Sequence, residues 1–64
     1  MRIGDKKIFT PCGKINLPNG KNIIDYSGQE VLLLKFEIPD ILWQVQTLDG
    51  IIFYAWNSEL KNGR

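Results

Sequence analysis

Histidine is absent from the chain and cysteine occurs once, as Cys12, so the residues that most often bind zinc or catalyse reactions are scarce. A single thiol cannot close a disulfide within the chain, and zinc sites are usually built from several Cys or His ligands. A catalytic thiolate also needs a neighbouring base, and no imidazole is present to serve as one. We therefore interpret Cys12 as a structural or free thiol and expect no metal, no cofactor and no enzymatic activity. One alternative stays open, an active site formed only between subunits.

Neither sign of charge dominates, because 8 Lys and Arg residues are balanced by 7 Asp and Glu residues and the formal net charge is +1. This balance provides no strong field to attract nucleic acid or an acidic membrane. No apolar run approaches the ~18 residues needed to cross a bilayer, and residues 1–7 lack the apolar segment of a signal peptide. We expect no membrane partner and a cytoplasmic location.

The composition is that of a folded domain, since 44% of the 64 residues are hydrophobic and 23% are charged. This length predicts one domain spanning residues 1–64. A core of this size rarely supplies more than about 3 to 5 kcal/mol, so small folds are usually supported by disulfides, metals or partner subunits. Because the composition removes the first two, association with another subunit is the support that remains.

Turn signals recur at short intervals, with β-prone runs between them. They are Thr10-Pro11-Cys12-Gly13, Leu17-Pro18-Asn19-Gly20, Tyr26-Ser27-Gly28-Gln29, Ile38-Pro39-Asp40 and Leu48-Asp49-Gly50. Regularly spaced turn signals without a long helical pattern are typical of all-β proteins. We predict a five- to six-stranded antiparallel meander that closes into a small barrel, with a 3-10 turn at residues 57–60 near the C-terminus. Residues 61–64 are expected to fray.

The clearest hairpin joins residues 42–48 to residues 51–56, because Asp49-Gly50 supplies the positive φ angles of a two-residue type I′ turn. That turn places Leu48 opposite Ile51 and fixes the register. One face then carries Trp43, Val45, Thr47, Ile52, Tyr54 and Trp56. The other face carries Gln44, Gln46, Leu48, Ile51, Phe53 and Ala55, and it is too apolar for an ordinary solvent-facing surface.

Three further strands are predicted. Residues 30–37 read as the central strand, with one set of side chains facing the core: Leu32, Leu34 and Phe36. Val31 and Leu33 then face outward with the charged side chains. Residues 21–26 are predicted to form another strand, and residues 14–17 pair across the turn at Pro18-Asn19-Gly20.

The segment from Trp43 to Leu60 resembles the closing half of SH3-like barrels of the Tudor and KOW type. The similarity lies in a strand, a tight Asp49-Gly50 turn, a second strand and then Ser58-Glu59-Leu60. It covers roughly the last third of the chain and concerns a fold shared by proteins of many functions. Tudor-like domains bind methylated side chains through an aromatic cage, and KOW-like domains contact RNA or ribosomal partners. No complete cage motif is present, so the resemblance assigns no site residues.

An apolar surplus on the second face is the main candidate binding surface, and its members are Val31, Leu33, Leu48, Ile51 and Phe53. A monomer rarely exposes a contiguous apolar patch beyond a few hundred Å². These side chains are therefore covered by a protein partner or second copy, or else by strong coiling of the strands, and both explanations remain open. Tyr54 and Trp56 are added as candidate anchors because large aromatics dominate many interfaces.

The predicted function is that of a non-enzymatic protein-interaction module that associates with itself or with a protein partner. Its size and composition also fit a small accessory protein of a phage, bacterium or mobile element that modulates a host protein. The alternative is a small nucleic-acid-binding barrel in which aromatics stack on bases and lysines contact the phosphates. The lysines considered are Lys6, Lys7, Lys14, Lys21 and Lys35.

Overall fold

The computed structural model describes residues 2–63, which form one antiparallel sheet of five strands and two short 3-10 helices. The strands are β1 (Lys6–Phe9), β2 (Glu30–Ile38), β3 (Leu42–Thr47), β4 (Ile52–Trp56) and β5 (Leu60–Lys61). Their order across the sheet is β4-β3-β2-β1-β5. The first 3-10 helix spans Ile23–Tyr26 and the second spans Asn57–Glu59. Within these residues no helix is long and apolar enough to cross a membrane.

The predicted all-β class, with antiparallel strands and a 3-10 turn near the C-terminus, is confirmed. The sheet is nevertheless open and does not close into a barrel. Its edges are β4 on one side and β5 on the other, and β5 has only 2 residues. So short a strand offers β4 little backbone to pair with, which gives a physical reason for the open sheet.

The β3–β4 turn differs from the predicted type and shifts the register by one residue. Gly50 donates to the Thr47 carbonyl at 3.1 Å, Thr47 N donates to the Ile51 carbonyl at 2.9 Å, and Gly50 has φ 90°. These bonds describe a three-residue loop, a type I turn followed by a glycine bulge. Thr47 therefore lies opposite Ile51, and Val45 pairs with Phe53.

A shift of one residue moves every side chain of a strand to the other face. In β4, Phe53 and Ala55 are therefore buried, whereas the side chains predicted to share a face with Trp43 are half exposed: Ile52, Tyr54 and Trp56. In β2, Val31 pairs with Thr47 and Leu33 with Val45, so both point into the core. Their predicted outward orientation is wrong.

Phe36, at the edge of the core, does not point inward as predicted. Strand β2 contains register shifts between Leu33 and Lys35 and again between Phe36 and Ile38. Phe36 consequently lies opposite Trp43, with the ring centroids 3.6 Å apart, and remains 38% exposed. Phe36 was predicted to face inward, and it instead covers one side of the buried indole.

The long connection between β1 and β2 covers the core. The first 3-10 helix is capped by Asn22, whose side chain accepts a bond from Ile24 N, while the Asp25 carboxylate accepts one from Asn22 N. This reciprocal capping box favours a helical turn, so the strand predicted for residues 21–26 is wrong. The helix buries Ile23 and Tyr26.

The predicted turn at Pro18-Asn19-Gly20 is confirmed, since Gly20 N donates to the Leu17 carbonyl at 3.1 Å. Only a single bridge, between Asn16 and Asn22, replaces the predicted flanking strands.

Segments near both ends of the described residues contribute to the sheet. Strand β1 was not predicted, and its Phe9 is fully buried against Phe53 with the ring centroids 5.0 Å apart. Leu60 is buried after the second 3-10 helix, as expected, but Lys61 pairs with Ile8 instead of fraying. Arg64, the last residue of the predicted frayed tail, lies outside the described residues.

Candidate functional site

The predicted apolar patch is not a surface. Val31, Leu33 and Phe53 are 1%, 0% and 6% exposed and belong to the hydrophobic core. Ile51 is partly buried and packs against the same core, and Leu48 projects from the turn with 78% exposure. The structure therefore does not bring these five residues together, because the register shift places most of them inside.

An apolar stripe lies instead on the outward side of β4. Ile52, Tyr54 and Trp56 alternate along the strand and are 51%, 53% and 50% exposed. We call these three side chains the β4 stripe. Tyr54 and Trp56 were among the predicted binding residues, and Ile52 was not. All three were predicted to share the face that carries Trp43. Correct recognition of the three-residue turn would have identified the whole stripe.

Two further isoleucines are exposed near the Trp56 end of the β4 stripe: Ile38, the last residue of β2, and Ile41, in the β2–β3 turn, are 45% and 49% exposed. Ile41 and Trp56 line a shallow groove of about 320 Å³ with three polar neighbours, Asp40, Asn57 and Ser58. A second shallow groove, of about 440 Å³, lies at the other end of β4. It is lined by Pro18, Asn19, Gly50, Ile51 and Ile52.

The backbone of β4 is available on its outer edge. Bonds from Thr47 N to the Ile51 carbonyl at 2.9 Å and from Asn57 N to the Ile41 carbonyl at 2.7 Å set the phase of the β3–β4 ladder. Hydrogen-bonded pairs alternate in antiparallel strands, so Phe53 and Ala55 bond to β3. The N–H and C=O groups of Ile52 and Tyr54 point the other way, toward the open edge.

Glu59 fixes the end of this edge. Its side chain is buried, with Oε1 accepting from Trp56 N at 2.9 Å and Oε2 accepting from Cys12 N at 3.0 Å. The Glu59 carbonyl also accepts from Thr10 N at 2.7 Å. The carboxylate thus ties the β1–β2 connection to β4, and it occupies the Trp56 N–H that would otherwise extend the open edge.

A second polar cluster ties the β3–β4 turn to the same connection. Tyr26 donates its hydroxyl to Asp49 Oδ2 at 3.0 Å, and Lys21 Nζ lies 3.7 Å from that oxygen. The Thr47 hydroxyl donates to Asp49 Oδ1 and also accepts from Ile51 N. The Thr47 hydrogen bond is the largest cause of the lowered pKa of Asp49. Burial opposes it, and the Tyr26 hydrogen bond and the charge of Lys21 add smaller contributions that lower the pKa. The cluster orients the turn that sets the register.

Strand β4 has few features that protect an edge from pairing. Natural edge strands are commonly blocked by charged side chains, proline or bulges. The sequence of β4, Ile-Phe-Tyr-Ala-Trp, contains neither a charge nor a proline. Residues 2–63 also contain no cluster of three or more metal-ligating side chains. The open edge of β4 is the candidate functional site.

The fold and the site together define a small open antiparallel sheet with one neutral, aromatic edge. Comparisons with protein-family models, curated proteins and solved structures gave no match for this chain. The geometry of β4 and its surroundings is therefore the basis for assigning a function.

Proposed function

We propose that the protein is a non-enzymatic protein-interaction module that accepts a strand of another polypeptide at the open edge of β4. The observation that carries this proposal is the coincidence of outward backbone groups at Ile52 and Tyr54 with the exposed β4 stripe. In strand addition, main-chain bonds supply affinity and alternate side chains supply specificity. The edge provides both along the same short segment.

The expected affinity is modest. Net contributions of individual hydrogen bonds are about 0.5 to 1.5 kcal/mol, and β4 has only 5 residues. Interfaces below about 1,200 Å² are typical of weak or transient encounters. The half-exposed Tyr54 and Trp56 are the proposed anchors, because aromatic side chains contribute large contact areas with few rotatable bonds.

The SH3-like relationship remains part of the proposal. It rests only on the succession of the β3–β4 hairpin, the second 3-10 helix and β5, because the open sheet lacks the closed barrel of that fold. A role as a small cytoplasmic accessory protein of a phage, bacterium or mobile element, modulating a host protein, is proposed from chain size and composition alone.

The nucleic-acid alternative has less support from the charged side chains. Lys6, Lys21 and Lys35 lie within 4.0 Å of carboxylates, those of Glu30, Asp49 and Glu37 respectively. Each pair reduces the net positive charge offered to a phosphate. The aromatic β4 stripe also lacks interleaved lysines, which a groove for single-stranded nucleic acid would need.

A display library of random-sequence peptides, selected against the immobilised protein, tests the proposed function. We expect enrichment of peptides with alternating apolar residues, and binding of these peptides should weaken at least about tenfold in Ile52→Lys. Ile3→Lys is the matched control, because Ile3 is also exposed but precedes β1, which lies beyond β3 and β2 from the edge.

Amide hydrogen exchange then locates the bound peptide. Slower exchange at Ile52 and Tyr54 would support strand addition, since these N–H groups face the open edge in the free protein. The proposal would be overturned if no enriched peptide lost affinity in Ile52→Lys. It would also be overturned if the bound peptide protected only other amides.

A further inference from the structure

Strand β4 is complementary to itself when two copies run antiparallel. A two-fold axis beside Tyr54 places Tyr54 opposite Tyr54 of the second copy, and it places Ile52 opposite Trp56 at both ends. Aromatic pairs and pairs of an aromatic with a β-branched residue are among the favourable cross-strand combinations, each worth about 0.2 to 1 kcal/mol. Every outward side chain of β4 therefore meets a suitable partner in this arrangement.

The backbone groups match as well. Tyr54 faces the open edge with both its N–H and its C=O, so two copies can exchange a reciprocal pair of bonds across the axis. The Ile52 N–H can donate to the Trp56 carbonyl of the second copy. The Trp56 N–H donates to Glu59 Oε1 at 2.9 Å, so it does not bond the Ile52 carbonyl of the second copy, and each end of the ladder contributes one bond.

Charge also favours a second copy over a charged peptide. No residue of β4 is charged, so two such strands meet without like-charge repulsion, and the strand offers no ion-pair partner to a charged peptide. Small folds are often stabilised by disulfides or by a bound metal, but this chain has one cysteine and no histidine. Association with a second copy is another way to stabilise such a fold.

We infer that the protein forms a symmetric homodimer through antiparallel β4–β4 pairing centred on Tyr54, joining two five-stranded sheets into one. This inference rests on the proposed function and names the occupant of the edge. Residues directly opposite in antiparallel strands point to the same face of the sheet. The two β4 stripes therefore merge into one apolar band on the outer face of the dimer.

Charge reversal at the symmetry axis tests the register. Sedimentation equilibrium is measured for wild type, for Tyr54→Lys, for Tyr54→Glu and for an equimolar mixture of the two variants. We expect a concentration-dependent wild-type dimer, at least about tenfold weaker association of each variant alone, and recovery of the dimer in the mixture. The mixture discriminates because lysine meets glutamate only if position 54 lies opposite itself.

Hydrogen exchange of the wild type needs no substitution and so does not depend on the folding of a variant. The Ile52 and Tyr54 amides should become slower to exchange as protein concentration rises. The amides of Phe53 and Ala55, which bond to β3, are the internal controls and should change far less.

The outcomes separate this inference from the proposed function. A wild type that stays monomeric at every concentration, while library peptides still protect Ile52 and Tyr54, overturns the homodimer and leaves strand addition standing. A dimer that does not protect these amides uses another surface and also overturns the inference. If neither a second copy nor any peptide protects them, the proposed function fails as well.

Discussion

Asp49 helps to fix the geometry of the open β4 edge. It lies in the turn that sets the β4 register, and it receives hydrogen bonds from the Thr47 and Tyr26 hydroxyls. A turn residue therefore also orients the strand that follows it. The Asp-Gly pair identified the turn in the sequence, but these longer-range partners could not be identified there, because Tyr26 is 23 positions away along the chain.

The lowered pKa of Asp49 predicts a loss of stability in acid that Asp49→Asn reduces. A carboxylate whose pKa is lower in the folded state stabilises the protein above its unfolded pKa, near 3.9, and this contribution is lost as the pH falls through the folded value. Urea unfolding from about pH 5 down to about pH 2 measures the effect. Wild type should lose more stability over this window than Asp49→Asn.

Asp40→Asn, which makes the same substitution at an exposed turn position, serves as the comparison. Equal acid sensitivity of wild type and Asp49→Asn would contradict the assignment of this contribution to Asp49.

The turns are the elements that decide the fold, because each sets which face of the next strand is buried. Strands β2, β3 and β4 were predicted close to their observed ranges, as was the second 3-10 helix. The buried faces of β2 and β4 were predicted wrongly. In Val31-Leu32-Leu33-Leu34, for example, the side chains on both faces of the strand are apolar. Pattern alone cannot choose between two apolar faces, and the pairing with β3 makes the choice.

Two missed elements show a different limit of sequence reasoning. Strand β5 has 2 residues and β1 has 4, of which two are lysines, so neither resembles a β-prone run. Their pairing joins the two ends of the described chain and depends on tertiary contacts. The first 3-10 helix, in contrast, had a local signal in Asn22 and Asp25, whose spacing is that of a capping box.

Opposite substitutions at two turns should have opposite effects on stability. Asp40 has φ 61° and Gly50 has φ 90°, a region that glycine adopts more readily than residues with a Cβ atom. We expect Asp40→Gly to stabilise by about 0.5 to 1 kcal/mol and Gly50→Ala to destabilise by about 1 to 2 kcal/mol. A Cβ at Gly50 would meet no atom within 4 Å, so the penalty there is conformational and not steric.

Urea unfolding at neutral pH measures both changes. Gly13→Ala is the control, since Gly13 lies outside the positive-φ positions and is equally open around its Cβ. A neutral Gly50→Ala would show that the turn can adopt another loop type without loss of stability.

At the scale of the molecule, one sheet and one irregular cover share a single core. The cover contributes Leu17, Ile23 and Tyr26, and Tyr26 contacts Phe53 of β4 with the ring centroids 6.1 Å apart. The face of the sheet opposite this cover carries the β4 stripe. Successive side chains of β4 point to opposite faces of the sheet, so Phe53 is buried under the cover while its neighbours Ile52 and Tyr54 are exposed.

Loss of one cover residue should approach the total stability of the monomer. Ile23 is 3% exposed, and truncation of buried isoleucine to alanine typically costs about 2 to 5 kcal/mol. A domain of this size has about 3 to 5 kcal/mol in total. Ile23→Ala should therefore lose most of its stability and show a substantial unfolded population at 25 °C by circular dichroism.

Ile23→Val is the matched control and should remain folded with a loss of about 0.5 to 1.5 kcal/mol. A folded Ile23→Ala with wild-type stability would show that the first 3-10 helix contributes little to the core.

The neighbouring strands β3 and β4 carry the two tryptophans of the chain in opposite environments. Trp43 is fully buried, and its indole N–H has no hydrogen-bond partner among residues 2–63, whereas Trp56 is 50% exposed at the open edge. The first indole therefore emits from the protein interior, and the second emits from the solvent boundary, where an aqueous quencher can reach it. The protein consequently contains two intrinsic fluorophores. Trp43 reports on unfolding, and Trp56 reports on the binding of another chain at β4.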